Sequence, residues 1–266
     1  MFNGLAIEGL RLRGTVISET LSDAFIESLS SADIDNLCAG EDFTMIKDGT
    51  TTTVGVLDCK RFGMDFNVVL KRFNYRGCID AFIKKIFGSR ARRLYLKTIE
   101  LSKRGVSVPE PLAFIEGRDG KSSLFISRHM EGYDNMAILF KDPALAKEDS
   151  ELIMRSVAKV IAKLHLADVF HGDMKWSNIL VDRREEVLKV IFVDNDQACI
   201  KKNISGSDIT EDIVRFYRYG LELKRESLVV DEFFKVYLPL ISDKLNTKGL
   251  QGGVISRAVD EFSRKK

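Results

Sequence analysis

Cysteine is scarce and without pattern in this chain. Cys38, Cys59, Cys78 and Cys199 show no C-x-x-C spacing. That excludes a Cys-based zinc ribbon and a disulfide scaffold, and it fits a reducing compartment. The start at Met1 has no positively charged segment followed by an apolar core, so no secretory signal is expected. No apolar run reaches the roughly 18 residues that a membrane-spanning helix needs. Internal repeats and low-complexity tracts are absent. No recognised nucleic-acid module appears, so nucleic acid is not an expected partner. A soluble or peripheral cytoplasmic protein fits these absences.

Present instead is enough apolar material for a substantial core, 45% of 266 residues. A single core stops growing near ~250–300 residues, so two lobes sharing a cleft are expected, residues 1–128 and 129–266, with residues 1–40 as an N-terminal extension. The net charge of +2 indicates no partner, but its distribution does. Between Lys71 and Arg104 stand eleven lysines and arginines against two acidic residues, Asp80 and Glu100, a local net of +9. Lys84, Lys85, Arg90, Arg92 and Arg93 interleave with Phe82, Ile83, Ile86, Phe87 and Leu94. This segment reads either as a contact for anionic lipid or a phosphorylated substrate, or as a solvated helix face.

The chemistry concentrates in His171-Gly172-Asp173-Met174-Lys175-Trp176-Ser177-Asn178-Ile179-Leu180, followed by Ile191-Phe192-Val193-Asp194. Asp173 is a base for a substrate hydroxyl. Lys175, two residues on, is placed to neutralise a migrating phosphoryl group. Asn178, five after Asp173, and Asp194, 16 after Asn178, are candidate metal ligands. Phosphoryl transfer needs such a set because its transition state is stabilised mainly by positioning and by cations on the phosphoryl oxygens. The spacing matches the protein-kinase H-R-D-L-x-x-x-N and D-F-G pattern, but Gly172 replaces Arg and Asp194-Asn195-Asp196 replaces D-F-G. Upstream, Phe66–Phe73 is a β-type run that carries Lys71, the candidate ligand of the nucleotide phosphates.

These residues, with Val69-Leu70-Lys71-Arg72-Phe73-Asn74-Tyr75-Arg76-Gly77, Gly88-Ser89-Arg90-Ala91-Arg92-Arg93 and Lys103-Arg104-Gly105-Val106-Ser107-Val108-Pro109-Glu110-Pro111-Leu112-Ala113, resemble the lipopolysaccharide kinase family over roughly residues 45–220. The resemblance implies an α+β, bilobal protein-kinase-like fold with a small β-rich lobe and a larger, mainly helical one. It also implies ATP and Mg²⁺ as cofactors. The acceptor it implies is a heptose or Kdo sugar of the lipopolysaccharide inner core, met at the inner face of the cytoplasmic membrane. By the same resemblance, backbone groups of Arg128 to Met130 meet the adenine edge, and Asp212 receives backbone N–H groups of the catalytic loop. Asp212 reads equally as an exposed acid near a helix N-terminus.

Departures from the kinase pattern are visible too. The phosphate-covering loop falls at 47–55, with Gly49, Thr51 and Thr52 as candidate contacts in place of G-x-G-x-x-G; an ordinary Thr-rich hairpin explains it as well. Glu100 is either a partner of Lys71 or an exposed helix-end residue. Only 18 residues separate Asp194 from Asp212, with no A-P-E motif, which favours a sugar or other small acceptor over a peptide.

The remaining pattern predicts a strand over 10–17, a helix from Ser22 to Leu29, β structure over 43–73 and helices over 78–87 and 89–104. Strands over 111–116 and 123–128 flank a turn at Gly117-Arg118-Asp119-Gly120. A helix over 147–169 is capped by Asp149 or Ser150, with Leu152, Val157, Ile161 and Leu164 as its apolar stripe. Strands over 178–182 and 187–193 come next, then helices broken at Pro239 and Gly252-Gly253. His129 reads as a hinge or surface residue, and His165 as a local packing residue. His171 reads as an organiser of its loop. Two rival functions stay open: a compact atypical protein kinase, and a non-catalytic nucleotide-binding scaffold.

Overall fold

The computed structural model describes residues 4–8, 12–17, 20–31, 34–38, 40–74, 87–117 and 122–247. Most of the helix expected at 78–87, the residues after Gly117 in its turn, and Gly252-Gly253 lie outside them. The chain divides into two compact units, residues 1–100 with 109–131, and residues 101–108 with 132–266.

The first unit is built on a seven-stranded antiparallel sheet. Its strands are β1 (Gly4–Glu8), β2 (Leu12–Ile17), β3 (Phe43–Asp48), β4 (Thr52–Leu57), β5 (Val68–Phe73), β6 (Pro111–Gly117) and β7 (Ser123–Arg128). Their spatial order is β1-β2-β6-β7-β5-β4-β3. Helices α1 (Asp23–Ser31) and α2 (Ile34–Leu37) follow β2, and α3 (Arg90–Lys103) follows β5. Alternation along the strands sends side chains to two faces. One face puts Val68, Leu70, Ala113, Ile115, Leu124 and Ile126 against Phe25 and Leu29 of α1. The other puts Phe73, Phe114 and Phe125 against Ala91, Leu94, Tyr95 and Ile99 of α3. Covered on both sides, β6 and β7 are buried almost throughout, and their apolar runs follow from that.

The first 40 residues, expected to be an extension, are part of this unit: β2 pairs with β6 in register from Leu12↔Gly117 to Val16↔Ala113. A close approach requires Gly14, where an added Cβ would lie 2.1 Å from the Phe114 carbonyl oxygen. Ser22 begins α1 as expected, its hydroxyl accepting from the Phe25 N–H at 3.2 Å.

The second unit is mainly helical. It holds β8 (Tyr133–Asn135), α4 (Met136–Leu139), α5 (Lys147–Leu166), β9 (Val169–Phe170), β10 (Ile179–Asp182), β11 (Lys189–Phe192), β12 (Cys199–Ile200), α6 (Gly206–Glu222), α7 (Glu226–Leu228) and α8 (Phe234–Thr247). The strands form two small sheets, β11-β10-β8 and β12-β9. The core gathers on Trp176, Phe216, Phe233 and Tyr237 together with Ile153, Val157 and Ile161 of α5.

Three expectations for helices change. Helix α5 starts at Lys147 after an Ala146 N-cap that provides no side-chain hydrogen bond, and Ser150 instead donates to the Ala146 carbonyl at 2.9 Å. Asp149 stands in the first turn, where the helix dipole favours it without capping. Leu152 is 42% exposed while Ile153, Met154, Val157 and Ala158 are buried; Val157, Ile161 and Leu164 keep their inward places. Pro239 lies inside α8 and does not end it. Phe234, Tyr237, Ile241 and Leu245 are buried at helical spacing, and their burial outweighs the one hydrogen bond that proline removes.

Candidate active site

Strand β9 delivers the chain into the loop 171–178. Gly172 takes a φ of +75°, a left-handed conformation that glycine adopts without the Cβ penalty. A Cβ there would also lie 3.1 Å from the Gln197 carbonyl oxygen. Asp212, fully buried on α6, accepts the His171 N–H at 2.7 Å and the Gly172 N–H at 2.9 Å. It is thus the organiser of the loop and not an exposed helix-terminal acid. Its carboxylate also meets His165 Nε2 at 3.3 Å, and His165 Nδ1 meets the Tyr237 hydroxyl at 2.7 Å. His165 therefore ties two distant helices to the loop; its contacts are not local.

Below the loop, Trp176 is fully buried against Phe140, Phe216 and Tyr219, and its indole N–H donates to the Phe216 carbonyl at 3.0 Å. Asn135 donates to the Ser177 carbonyl at 2.7 Å. These bonds hold the loop as a rigid platform, which placed catalytic groups require.

On that platform the sequence-predicted residues converge. Lys175 Nζ lies 2.8 Å from Asp173 Oδ1 and 3.1 Å from Oδ2. The Asn178 amide donates to the Asp173 carbonyl at 2.9 Å and to Asp173 Oδ2 at 3.1 Å. With the Asn178 NH₂ spent on Asp173, its Oδ1 remains as the cation donor. The Val193 N–H donates to the Asn178 carbonyl at 2.9 Å, so the strand leading to Asp194 is stitched to Asn178. Asp194 itself is left-handed at φ 59°, ψ 48°, a conformation uncommon outside glycine and tolerated best by Asp and Asn. One amide oxygen and one carboxylate suit magnesium, which binds through few protein ligands and takes the rest from phosphate and water.

His171 packs beneath this turn, its ring 5.5 Å from that of Phe192. Its Nδ1 accepts the Asp173 N–H at 3.3 Å, while Nε2 is buried with no hydrogen-bond partner. Burial holds the imidazole below its ordinary pKa, against the opposing pull of Asp212, Asp173 and Asp194. A neutral organiser of the loop is the result.

A residue that the sequence reading missed completes the rim. Arg215, three positions after Asp212 and so on the same face of α6, donates through Nη1 to the Gly172 carbonyl. Its Nη1 lies 3.7 Å from Asp173 Oδ1, and Nη2 donates to Glu211 at 2.6 Å. The signal was the i, i+3 spacing from Asp212.

The other candidates belong to the first unit. Lys71 sits mid-strand in β5, opposite Val54 and Phe125, on the α3 face of the sheet; its Nζ is 5.4 Å from the Phe73 ring centre. Glu100 on α3 is half-buried. The Gly49 N–H donates to the Thr52 carbonyl at 3.0 Å, closing a tight β3–β4 turn. Asn74 donates to the Gly49 and Thr50 carbonyls and, through its backbone, to Thr51. Arg90 reaches the Thr51 carbonyl at 3.3 Å. The Thr53 hydroxyl is committed to Asp48 at 2.9 Å, which leaves the hydroxyls of Thr50, Thr51 and Thr52 as the side-chain donors of the turn. Arg128 directs its backbone N–H to the Glu110 carbonyl at 2.9 Å, its side chain to Glu110 at 2.8 Å, and its guanidinium over the Phe66 ring. His129 donates its N–H to Asn67 at 2.9 Å, and the half-buried Met130 follows outside that pairing.

Comparison with known proteins adds the following. Human mitogen-activated protein kinase 4 is 30% identical over 149 residues, covering 50% of this chain and 25% of that protein. The 3-deoxy-D-manno-octulosonic acid kinase of Vibrio cholerae serotype O1 is 28% identical over 116 residues, 42% of this chain and 46% of that protein. The chain spans less than half the length of these curated relatives. A solved structure, WaaP in complex with acyl carrier protein, has a TM-score of 0.60 at 14% identity, covering 90% of this chain and 97% of that one; it shows the kinase-like α+β fold. The family described as Lipopolysaccharide kinase (Kdo/WaaP) matches residues 86–237, a stretch that takes in the loop, the Asp194 turn and Asp212 but begins after Lys71. Since that stretch is more than half of the sequence, the chain belongs to the lipopolysaccharide kinase (Kdo/WaaP) family.

Proposed function

We propose that this protein is an ATP-dependent kinase that transfers the γ-phosphate to a hydroxyl of a lipopolysaccharide inner-core sugar, heptose or Kdo. The observation that carries this reading is the Asp173 carboxylate, held by Asn178 and flanked by Lys175 on a loop fixed by Asp212. Asp173 orients the acceptor hydroxyl and takes its proton as the phosphoryl group leaves ATP. Lys175 offsets the charge of the transferring group. Asn178 and Asp194 would hold Mg²⁺, which supplies charge neutralisation on the nucleotide phosphates. Lys71 clamps those phosphates, with the Gly49–Thr52 turn over them and the backbone of Arg128 and Met130 at the adenine edge. The proposed lobes, residues 1–128 and 129–266, differ from the two compact units in that residues 101–108 group with the second unit and residues 129–131 with the first. The kinase works in the cytoplasm, and its basic segment 71–104 meets anionic lipid at the inner face of the membrane. No helix of the described residues is long and apolar enough to cross a membrane.

The test is phosphate transfer from labelled ATP with Mg²⁺ to purified lipopolysaccharide core acceptors, followed by mass analysis of the sugar. One phosphate gained on a core sugar, with turnover abolished and nucleotide binding retained in Asp173→Asn, is the expected outcome. Turnover unchanged in that variant removes Asp173 from the mechanism. The likeness to mitogen-activated protein kinase 4 supports the second reading, a compact protein kinase; phosphate on serine of a protein substrate, with none on sugar, would establish it.

A further inference from the structure

Asp173 is flanked by two cations, and the proposed chemistry uses only one. Lys175 contacts Oδ1 at 2.8 Å, and Arg215 approaches the same oxygen at 3.7 Å. Once ATP is in place, Lys175 is drawn to the transferring phosphoryl group. Arg215 remains beside the base. Its side chain is 36% exposed, so it is open to an arriving acceptor. It is also held in place: Nη1 is anchored on the Gly172 carbonyl and Nη2 on Glu211. A guanidinium carries five N–H donors in a fixed fork. The two anchors use one hydrogen on each Nη, which leaves Nε–H and the second hydrogen of each Nη.

The local charges show what such a group is for. Asp173 and Glu211 are the carboxylates of this rim, Lys175 and Arg215 its cations. A neutral sugar hydroxyl meets no electrostatic obstacle at Asp173 and needs no second cation. An acceptor with a negative charge near its reacting hydroxyl would be repelled by Asp173 unless a cation lay alongside. Arg215 is that cation, and its fork suits a carboxylate or phosphate.

From this geometry, and resting on the sugar-kinase reading above, we infer that Arg215 is an acceptor-binding residue that selects sugars bearing an oxyanion next to the reacting hydroxyl. That oxyanion is the carboxylate of a sugar acid or a phosphate on the adjoining sugar.

The experiment compares unmodified protein, Arg215→Gln and Arg215→Lys on a deacylated lipopolysaccharide core oligosaccharide ending in Kdo. The oligosaccharide is offered with free carboxylates, as its carboxyl methyl ester, and after phosphatase treatment. With unmodified protein, removing the recognised anion raises KM about tenfold with kcat changed little. Esterification producing that rise identifies the carboxylate, and phosphatase treatment producing it identifies the phosphate. Arg215→Gln shows the raised KM on the intact acceptor and no further rise when the anion is removed; Arg215→Lys falls between. The inference is overturned if Arg215→Gln still discriminates intact from modified acceptor as the unmodified protein does. It is overturned equally if Arg215→Gln lowers kcat on all acceptors at constant KM, the mark of a brace for the loop. Calorimetric titration with the intact oligosaccharide in the absence of ATP separates this from failure of the kinase reading. Binding that Arg215→Gln loses supports Arg215 even where no phosphate is transferred, and no binding by the unmodified protein overturns it.

Discussion

His171 and Asp212 set the shape of loop 171–178, one by staying neutral and one by accepting two backbone N–H groups. Because burial depresses the His171 pKa, the unfolded chain takes up a proton near the ordinary value of 6.5 that the folded chain refuses. The stability linked to this group is intact above that pH and is lost as pH falls through the folded-state value. The melting temperature is therefore expected to drop between pH 7.5 and pH 5, and to drop less in His171→Gln; equal slopes would show that other groups drive the acid response. Asp212 accepts two backbone N–H groups where water does not reach. Replacing it with alanine strands both donors beside His165, at a cost of about 3 kcal/mol. Turnover should fall by about a hundredfold or more, since the loop loses its anchor; a variant with normal kcat would show that Trp176 and Asn135 suffice to shape it. Asp212 was legible only as one of two alternatives, because nothing in a linear pattern says whether an acid near a helix start meets water or a neighbouring loop.

Element boundaries follow local chemistry where caps are strong. Helix α6 opens with a capping box: the Ser205 hydroxyl accepts the Asp208 N–H at 3.2 Å, and Asp208 accepts the Ser205 N–H at 2.9 Å. Ser205→Ala should lower stability by about 1 kcal/mol, a fall in melting temperature of roughly 2–4 °C. Because Asp212 and Arg215 ride on this helix, kcat in the same variant, measured well below its melting point, reports whether fraying reaches the loop; a loss beyond about tenfold would place the cap in the catalytic apparatus. Helix α5 is the opposite case. Its start at Lys147 was expected, but it has no side-chain cap: the polar residues Asp149 and Ser150, read as caps, lie within the helix's first turn. Its inward face was misjudged at Leu152 for a related reason: Ile153 and Met154 satisfy the same helical period one step round, and only the packing partner decides between the two registers.

For the first unit as a whole, the largest departure from expectation is the role of residues 4–31. Strands β1 and β2 cover the edge of β6, while Val16, Leu21, Phe25 and Leu29 fill one face of the sheet. A chain lacking residues 1–31 would expose a long, apolar strand edge and half of a core. It is expected to elute as aggregate in size-exclusion chromatography; a monomeric, cooperatively melting truncated protein would show that this hairpin and helix are dispensable. By itself the sequence determined the position of loop 171–178, its spacing to Asp194, the upstream lysine strand and most helices and strands, since each depends on neighbours within a few residues. The tertiary structure alone decided that the N-terminal hairpin joins the sheet, that Asp212 points inward with His165 and Tyr237 behind it, and that Arg215 stands beside Asp173. Those outcomes depend on which surfaces meet across 40 to 100 residues of chain, where burial and charge pairing are set by the partner and not by the local pattern.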